Sequence, residues 1–237
     1  MRALPATTIQ TAITNLSLIF QPVPDNITSS SNVATQITTG TWAQVPFIIG
    51  TNANEGTFFQ IGQTNTLAFL KATFPGLTPL QQAILAQYPQ DYNAYQEISD
   101  IFTNFVFLCP AGDIAALAVS KGYKDVFRYY FNASFPNYLP FPGAGVWHTS
   151  EVPLVFGTYP RVNATQQQMD LSVYFQAAWA GFARFGTPGW GWPRYLSAER
   201  SVMDIGVNGT DGGVLVSNNT VDGKCPVYQA LIPRVGL

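Results

Sequence analysis

The chain has 237 residues, 47% hydrophobic and 10% charged, enough for one sizeable globular domain or part of a larger one. A net charge of -2 excludes a general nucleic-acid binder, because nothing here would neutralise a phosphate backbone. Abundant aromatics (14%) exclude a disordered chain, and one histidine with two distant cysteines excludes the usual zinc frameworks, so no metal and no cofactor is expected.

In chain order, the first forty residues are polar and Thr-rich, punctuated by Pro5, Pro22 and Pro24, with a short helix expected around Ile9–Asn15. Residues 45–49 are an apolar run ending at Gly50 and read as a strand buried on both faces, followed by the Asn/Gly-rich loop that contains Glu55. Residues 66–120 read as several helices, broken at Pro75-Gly76, Pro79, Pro89 and Cys109-Pro110. No stretch approaches eighteen apolar residues, so no membrane-spanning helix is expected. Residues 125–131 read as a second buried strand, and a Pro/Gly-rich loop then leads to His148. Residues 166–185 carry the clearest helical stripe, with Leu171, Phe175, Ala178, Phe182 and Phe185 at spacings of three and four and Gly186 as the C-cap. The tail alternates short β-like runs such as Val214–Val216 with Gly/Asn turns. Alternating strands and helices predict an α/β fold.

Compartment is read from small motifs. Six Asn-x-Ser/Thr sequons stand at Asn15, Asn26, Asn132, Asn163, Asn208 and Asn218, against about two expected by chance. The excess points to a secreted glycoprotein, in which Cys109 and Cys225 would form one disulfide; two buried free thiols in a cytosolic protein are the alternative. The N-terminus lacks the continuous apolar core of a secretory signal, so Met1 is read as lying inside a longer protein.

The chemistry concentrates in two loops, each following a predicted buried strand. In open α/β sheets ligands bind beyond the carboxyl ends of the strands. A carboxylate, Glu55, and the only histidine, His148, at two such ends fit the orienter and base of a Ser–His–acid triad, in the order acid then His. By spacing alone, a surface carboxylate and a structural histidine remain the commoner roles for such residues. His148 and Glu151 also spell H-x-x-E, but further His or Cys ligands are missing.

VPFIIGTNANEGTFF (45–59) resembles the acid loop of the type-B carboxylesterases, the family of cholinesterases and fungal lipases, and GVWHTSEVPLVFG (145–157) resembles its histidine loop. MRALPATTIQ, FQPVPDN (20–26), TNFVFLCPA (103–111) and FARFGTPGWGWPRY (182–195) are similar to further blocks, so the likeness covers nearly the whole chain in order. The resemblance implies the C-terminal portion of an α/β-hydrolase fold, a mixed, mostly parallel sheet flanked by helices. It implies Glu55 as triad acid, His148 as general base, Glu151 as a structural carboxylate paired with an arginine outside this chain, and Cys109–Cys225 as a disulfide. Two residues depart from the pattern: Asn104 stands where aspartate is common, and Thr149 replaces the usual glycine after the histidine.

No Gly-x-Ser-x-Gly elbow and no His-Gly-Gly-Gly segment occur in the chain. Residues 1–237 are therefore expected to be the C-terminal part of one domain. Its partners would be an ester or lipid substrate in the intact enzyme and the missing N-terminal half, with activity absent from the chain alone. The alternative from another class is an inactive fragment or a cholinesterase-like adhesion module acting through its surface.

Overall fold

The computed structural model describes residues 3–16, 23, 25, 27, 32–89, 91–189, 191–196, 200–229 and 231. In chain order the elements are α1 (Ala6–Asn15), α2 (Val33–Thr39), β1 (Phe47–Asn52), α3 (Thr66–Thr73), α4 (Thr78–Leu85), α5 (Ala94–Phe102), α6 (Cys109–Ser120), β2 (Val126–Phe131), α7 (Val152–Val155), α8 (Gln166–Phe185), β3 (Arg200–Ile205), β4 (Gly213–Ser217) and α9 (Asn218–Asp222). The sheet runs in the order β1-β2-β3-β4; the first two pairings are parallel and β3–β4 is antiparallel. This is the mixed, mostly parallel sheet expected.

Alternation along the strands sends side chains to two helical layers. Phe127, Phe131, Met203 and Ile205 pack with Leu171, Phe175 and Ala178 of α8. On the other face, Val126 and Val202 pack with Ile37 of α2 and Ala115 and Ala118 of α6. A third cluster joins α3, α4 and α5 to the C-terminal segment through Leu70, Ile84, Ile101, Tyr228 and the Cys109–Cys225 disulfide. Its Cα–Cα distance is 5.3 Å, and it closes a sequence separation of 116.

Four sequence expectations are corrected. The first strand does not stop at Gly50 but continues to Asn52: the Tyr129 ring of β2 lies across Gly50, where any Cβ would meet it at 2.2 Å. The break expected at Cys109-Pro110 is absent. Pro110 falls in the first turn of α6, which follows α5 through a π turn at Thr103–Leu108. The resulting helix, Ala94–Ser120, is long and apolar enough to cross a membrane by length and composition, contrary to expectation; 56% of its most apolar window is buried inside the chain, as in a core helix. Helix α8 has the predicted bounds and its Gly186 cap, yet Phe185 is 76% exposed, because it lies beyond the part of α8 that faces the sheet.

Buried Arg128 on β2 went unremarked in the sequence. It donates through Nη2 to Asp222 Oδ1 at 2.6 Å, with Nη1 on the other carboxylate oxygen, and so ties α9 to the sheet.

Candidate active site

The register pairs Asn52 with Phe131, so β1 and β2 end level and their following loops leave from one edge of the sheet. Hydrogen bonds zip the loops together. The Asn54 N–H donates to Val146 O (3.0 Å), the Val146 N–H donates to Asn54 Oδ1 (2.9 Å), and Thr57 Oγ1 donates to Ala144 O (2.8 Å). Gly145 makes the approach possible: its φ is +62°, and a Cβ there would lie 2.3 Å from Asn54 Oδ1. Asn52 Nδ2 adds a bond to Trp147 O at 2.9 Å.

This clamp sets Glu55 against His148. Glu55 opens a 3-10 turn, Glu55–Thr57, and is buried. Its Oε1 accepts from the Asn52 N–H at 2.8 Å, which leaves Oε2 to meet His148 Nδ1 at 2.6 Å. The neighbouring Gly56 N–H donates to Thr103 Oγ1 (2.8 Å), so the π turn supports the acid loop from beneath. The same π turn carries Phe107, whose ring lies 5.1 Å from the imidazole; Phe59 stands at 5.1 Å as well. Both rings pack against the imidazole and restrict the directions in which it can turn.

The imidazole pKa is raised above its ordinary 6.5, first by the hydrogen bond to Glu55, against an opposing effect of burial, with the charges of Glu55 and Glu151 adding to the rise. Its side chain is 38% exposed, and among the described residues Nε2 has no hydrogen-bond partner. A carboxylate on Nδ1 fixes the Nδ1–H tautomer, so Nε2 is left as an acceptor.

The other sequence candidates are placed as follows. Glu151 accepts from Asn52 Nδ2, and burial raises its pKa against the lowering effect of that bond. Ser150, which the sequence did not single out as a candidate, is buried, and its Oγ lies 3.4 Å from Asn52 Nδ2. Asn104 is also apart from the pair: its Nδ2 donates to Tyr88 Oη at 2.7 Å. Thr149 has φ +73°, the left-handed region that glycine enters freely and a β-branched residue resists. Cys109 and Cys225 form the expected bridge. The sequence reading missed Asn52, Asn54 and Gly145, although the Asn/Gly-rich stretch at 51–56 and the Pro/Gly-rich loop before His148 were the available signals.

The chain is similar to known proteins. The profile of the carboxylesterase family matches residues 1–225. Para-nitrobenzyl esterase of Bacillus subtilis is 26% identical, over 92% of this chain and 44% of the relative. Acetylcholinesterase 1 of Caenorhabditis briggsae is 24% identical, over 90% and 41%, and Secreted lipase 5 of Gibberella zeae is 30% identical, over 76% and 32%. The chain thus spans less than half the length of these relatives. A family profile that runs through both loops, over a sheet that brings Glu55 and His148 together at one edge, places this chain in the carboxylesterase family.

Proposed function

We propose that Glu55 and His148 are the acid and base of a Ser–His–Glu triad in a secreted carboxylic-ester hydrolase, and that this chain is the C-terminal part of its catalytic domain. The 2.6 Å contact between Glu55 Oε2 and His148 Nδ1 carries the reading. The nucleophilic serine and the oxyanion-hole N–H groups belong, in this reading, to a preceding segment of the same domain.

The proton traffic follows from the geometry. A serine hydroxyl placed at Nε2 gives its proton to His148 as it attacks the ester carbonyl. The imidazolium that forms is stabilised by Glu55, which accepts the hydrogen bond from Nδ1–H. His148 then returns the proton from Nε2 to the departing alkoxide, and repeats the cycle with water to release the acid. Backbone N–H donors on the oxyanion contribute about 3–4 kcal/mol each. The acid–base half of this machinery lies in the present chain, so the chain alone is inactive.

A test compares the 237-residue chain, the chain preceded by its upstream coding region, and the two parts mixed. Hydrolysis of a p-nitrophenyl ester and serine labelling by a fluorophosphonate are the readouts. Activity is expected only when the upstream part is present, and Glu55→Gln or His148→Ala should then lower kcat by about 10⁴-fold. A covalent serine adduct with turnover in the 237-residue chain alone would overturn the reading. An upstream region without a serine elbow would favour a binding module instead.

A further inference from the structure

The six sequons share one motif, but the fold treats them differently. Asn163 and Asn208 are exposed, with φ of +57° and +52°, at the tips of two turns. Asparagine is among the few residues other than glycine that tolerate that conformation. The two turns are neighbours: Gln167 Nε2, in the first turn of α8, donates to Thr210 O at 2.9 Å. Thr165, the hydroxyl residue of the first sequon, caps α8 by accepting from the Gln168 N–H.

Asn218 is the opposite case. It is only 7% exposed, and Nδ2 donates to Tyr195 Oη (3.3 Å) and Leu196 O (3.0 Å), which uses both amide hydrogens. Its Oδ1 accepts from Ser201 Oγ at 3.1 Å. A sugar on this nitrogen would replace one of those bonds and require space inside the layer between β3 and α9. Asn132 is half-buried, and Asn15 is exposed at the end of α1. Asn26 lies outside the described residues.

We propose that Asn163 and Asn208 are N-glycan acceptors that form one sugar-bearing face beside the β3–β4 turn, and that Asn218 is a structural asparagine despite its motif. Transfer joins Asn Nδ2 to the anomeric carbon of a lipid-diphosphate-linked oligosaccharide. The carbon–oxygen bond to the diphosphate breaks, the diphosphate leaves with the electron pair, and one amide proton is lost. Strand β3 runs parallel to β2 and lies two places from β1, so the turn that carries Asn208 leaves from the same edge of the sheet as the loops of Glu55 and His148, displaced from β1 by about 10 Å. The inference needs only passage through a glycosylating compartment. It is read without any activity assay, so it stands or falls separately from the hydrolase reading.

The experiment expresses the full chain behind a secretory leader in insect cells, or by translation into microsomes if the chain is retained. The disulfide-bonded fraction is deglycosylated enzymatically in heavy-oxygen water and its peptides are mapped. Labelled Asp is expected at positions 163 and 208 and unmodified Asn at 218. Asn163→Asp and Asn208→Asp should each remove one glycan step on a gel and leave the thermal midpoint in place. Asn218→Asp should lower the midpoint and remove no glycan. Unmodified Asn163 and Asn208 in the translocated chain, or a glycan on Asn218 in the disulfide-bonded fraction, would overturn the proposal.

Discussion

His148 is the only histidine, so its titration can be followed as a single imidazole resonance in the intact chain. Its folded pKa stands above 6.5, chiefly through the hydrogen bond to Glu55. A raised histidine pKa stabilises the fold fully below the unfolded value, and that contribution is lost as pH rises through the folded value. Glu55→Gln should lower the observed pKa and flatten the dependence of unfolding free energy on pH over that window. An unchanged pKa in the variant would contradict the Glu55–His148 pairing. Thr149, next in sequence, holds a conformation that costs an L-residue about 1–2 kcal/mol. Thr149→Gly is therefore expected to stabilise the chain, with part of that gain offset by the greater freedom of glycine in the unfolded state, leaving about 1 kcal/mol in urea unfolding.

Among the elements, β2 is the one on which most depends. One face carries Phe127 and Phe131 into the α8 layer, while the other carries Arg128 into the layer of α6. Gly112 of α6 leaves room for the guanidinium, since a Cβ there would lie 3.2 Å from it. The arginine lies in a nearly closed site, and Asp222 is its charge partner. Removing one partner of a buried pair strands the other, so Asp222→Ala should cost about 3–5 kcal/mol in denaturant unfolding. A loss below about 1 kcal/mol would mean that water reaches the arginine freely. The π turn has a comparable place beneath the Glu55 loop. It supplies Thr103 beneath Gly56 and Phe107 over His148, and an uninterrupted α-helical register would turn those side chains to other directions.

At the scale of the whole molecule, the Cys109–Cys225 bridge joins the middle of the long helix to the C-terminal segment. Closing a loop of 116 residues restrains the unfolded chain by about 4–5 kcal/mol in the chain-entropy description. The double change of Cys109→Ala and Cys225→Ala should lower stability by that order, read as a fall in the urea midpoint relative to the parent. A midpoint unchanged by the double substitution would show that the C-terminal segment is held by Tyr228, Leu231 and the Arg128–Asp222 tie alone.

Composition and local pattern determined the α/β class, the bounds of α8, the position of β2 and the candidacy of Glu55 and His148, because each rests on periodicity or on a residue type within a short window. The continuation of β1 through Gly50 was decided by a ring on the neighbouring strand, and the passage of the helix through Cys109-Pro110 by a local change of hydrogen-bond register. Likewise, the separation of Asn218 from Asn163 and Asn208 depends on which sequon is covered, a matter of packing between segments distant in sequence. The Glu55–His148 contact shows the division most plainly. Its two residues stand 93 apart in the chain, and their 2.6 Å contact exists because parallel pairing brings two strand ends level and the bonds of Asn52 and Asn54 close the loops across them.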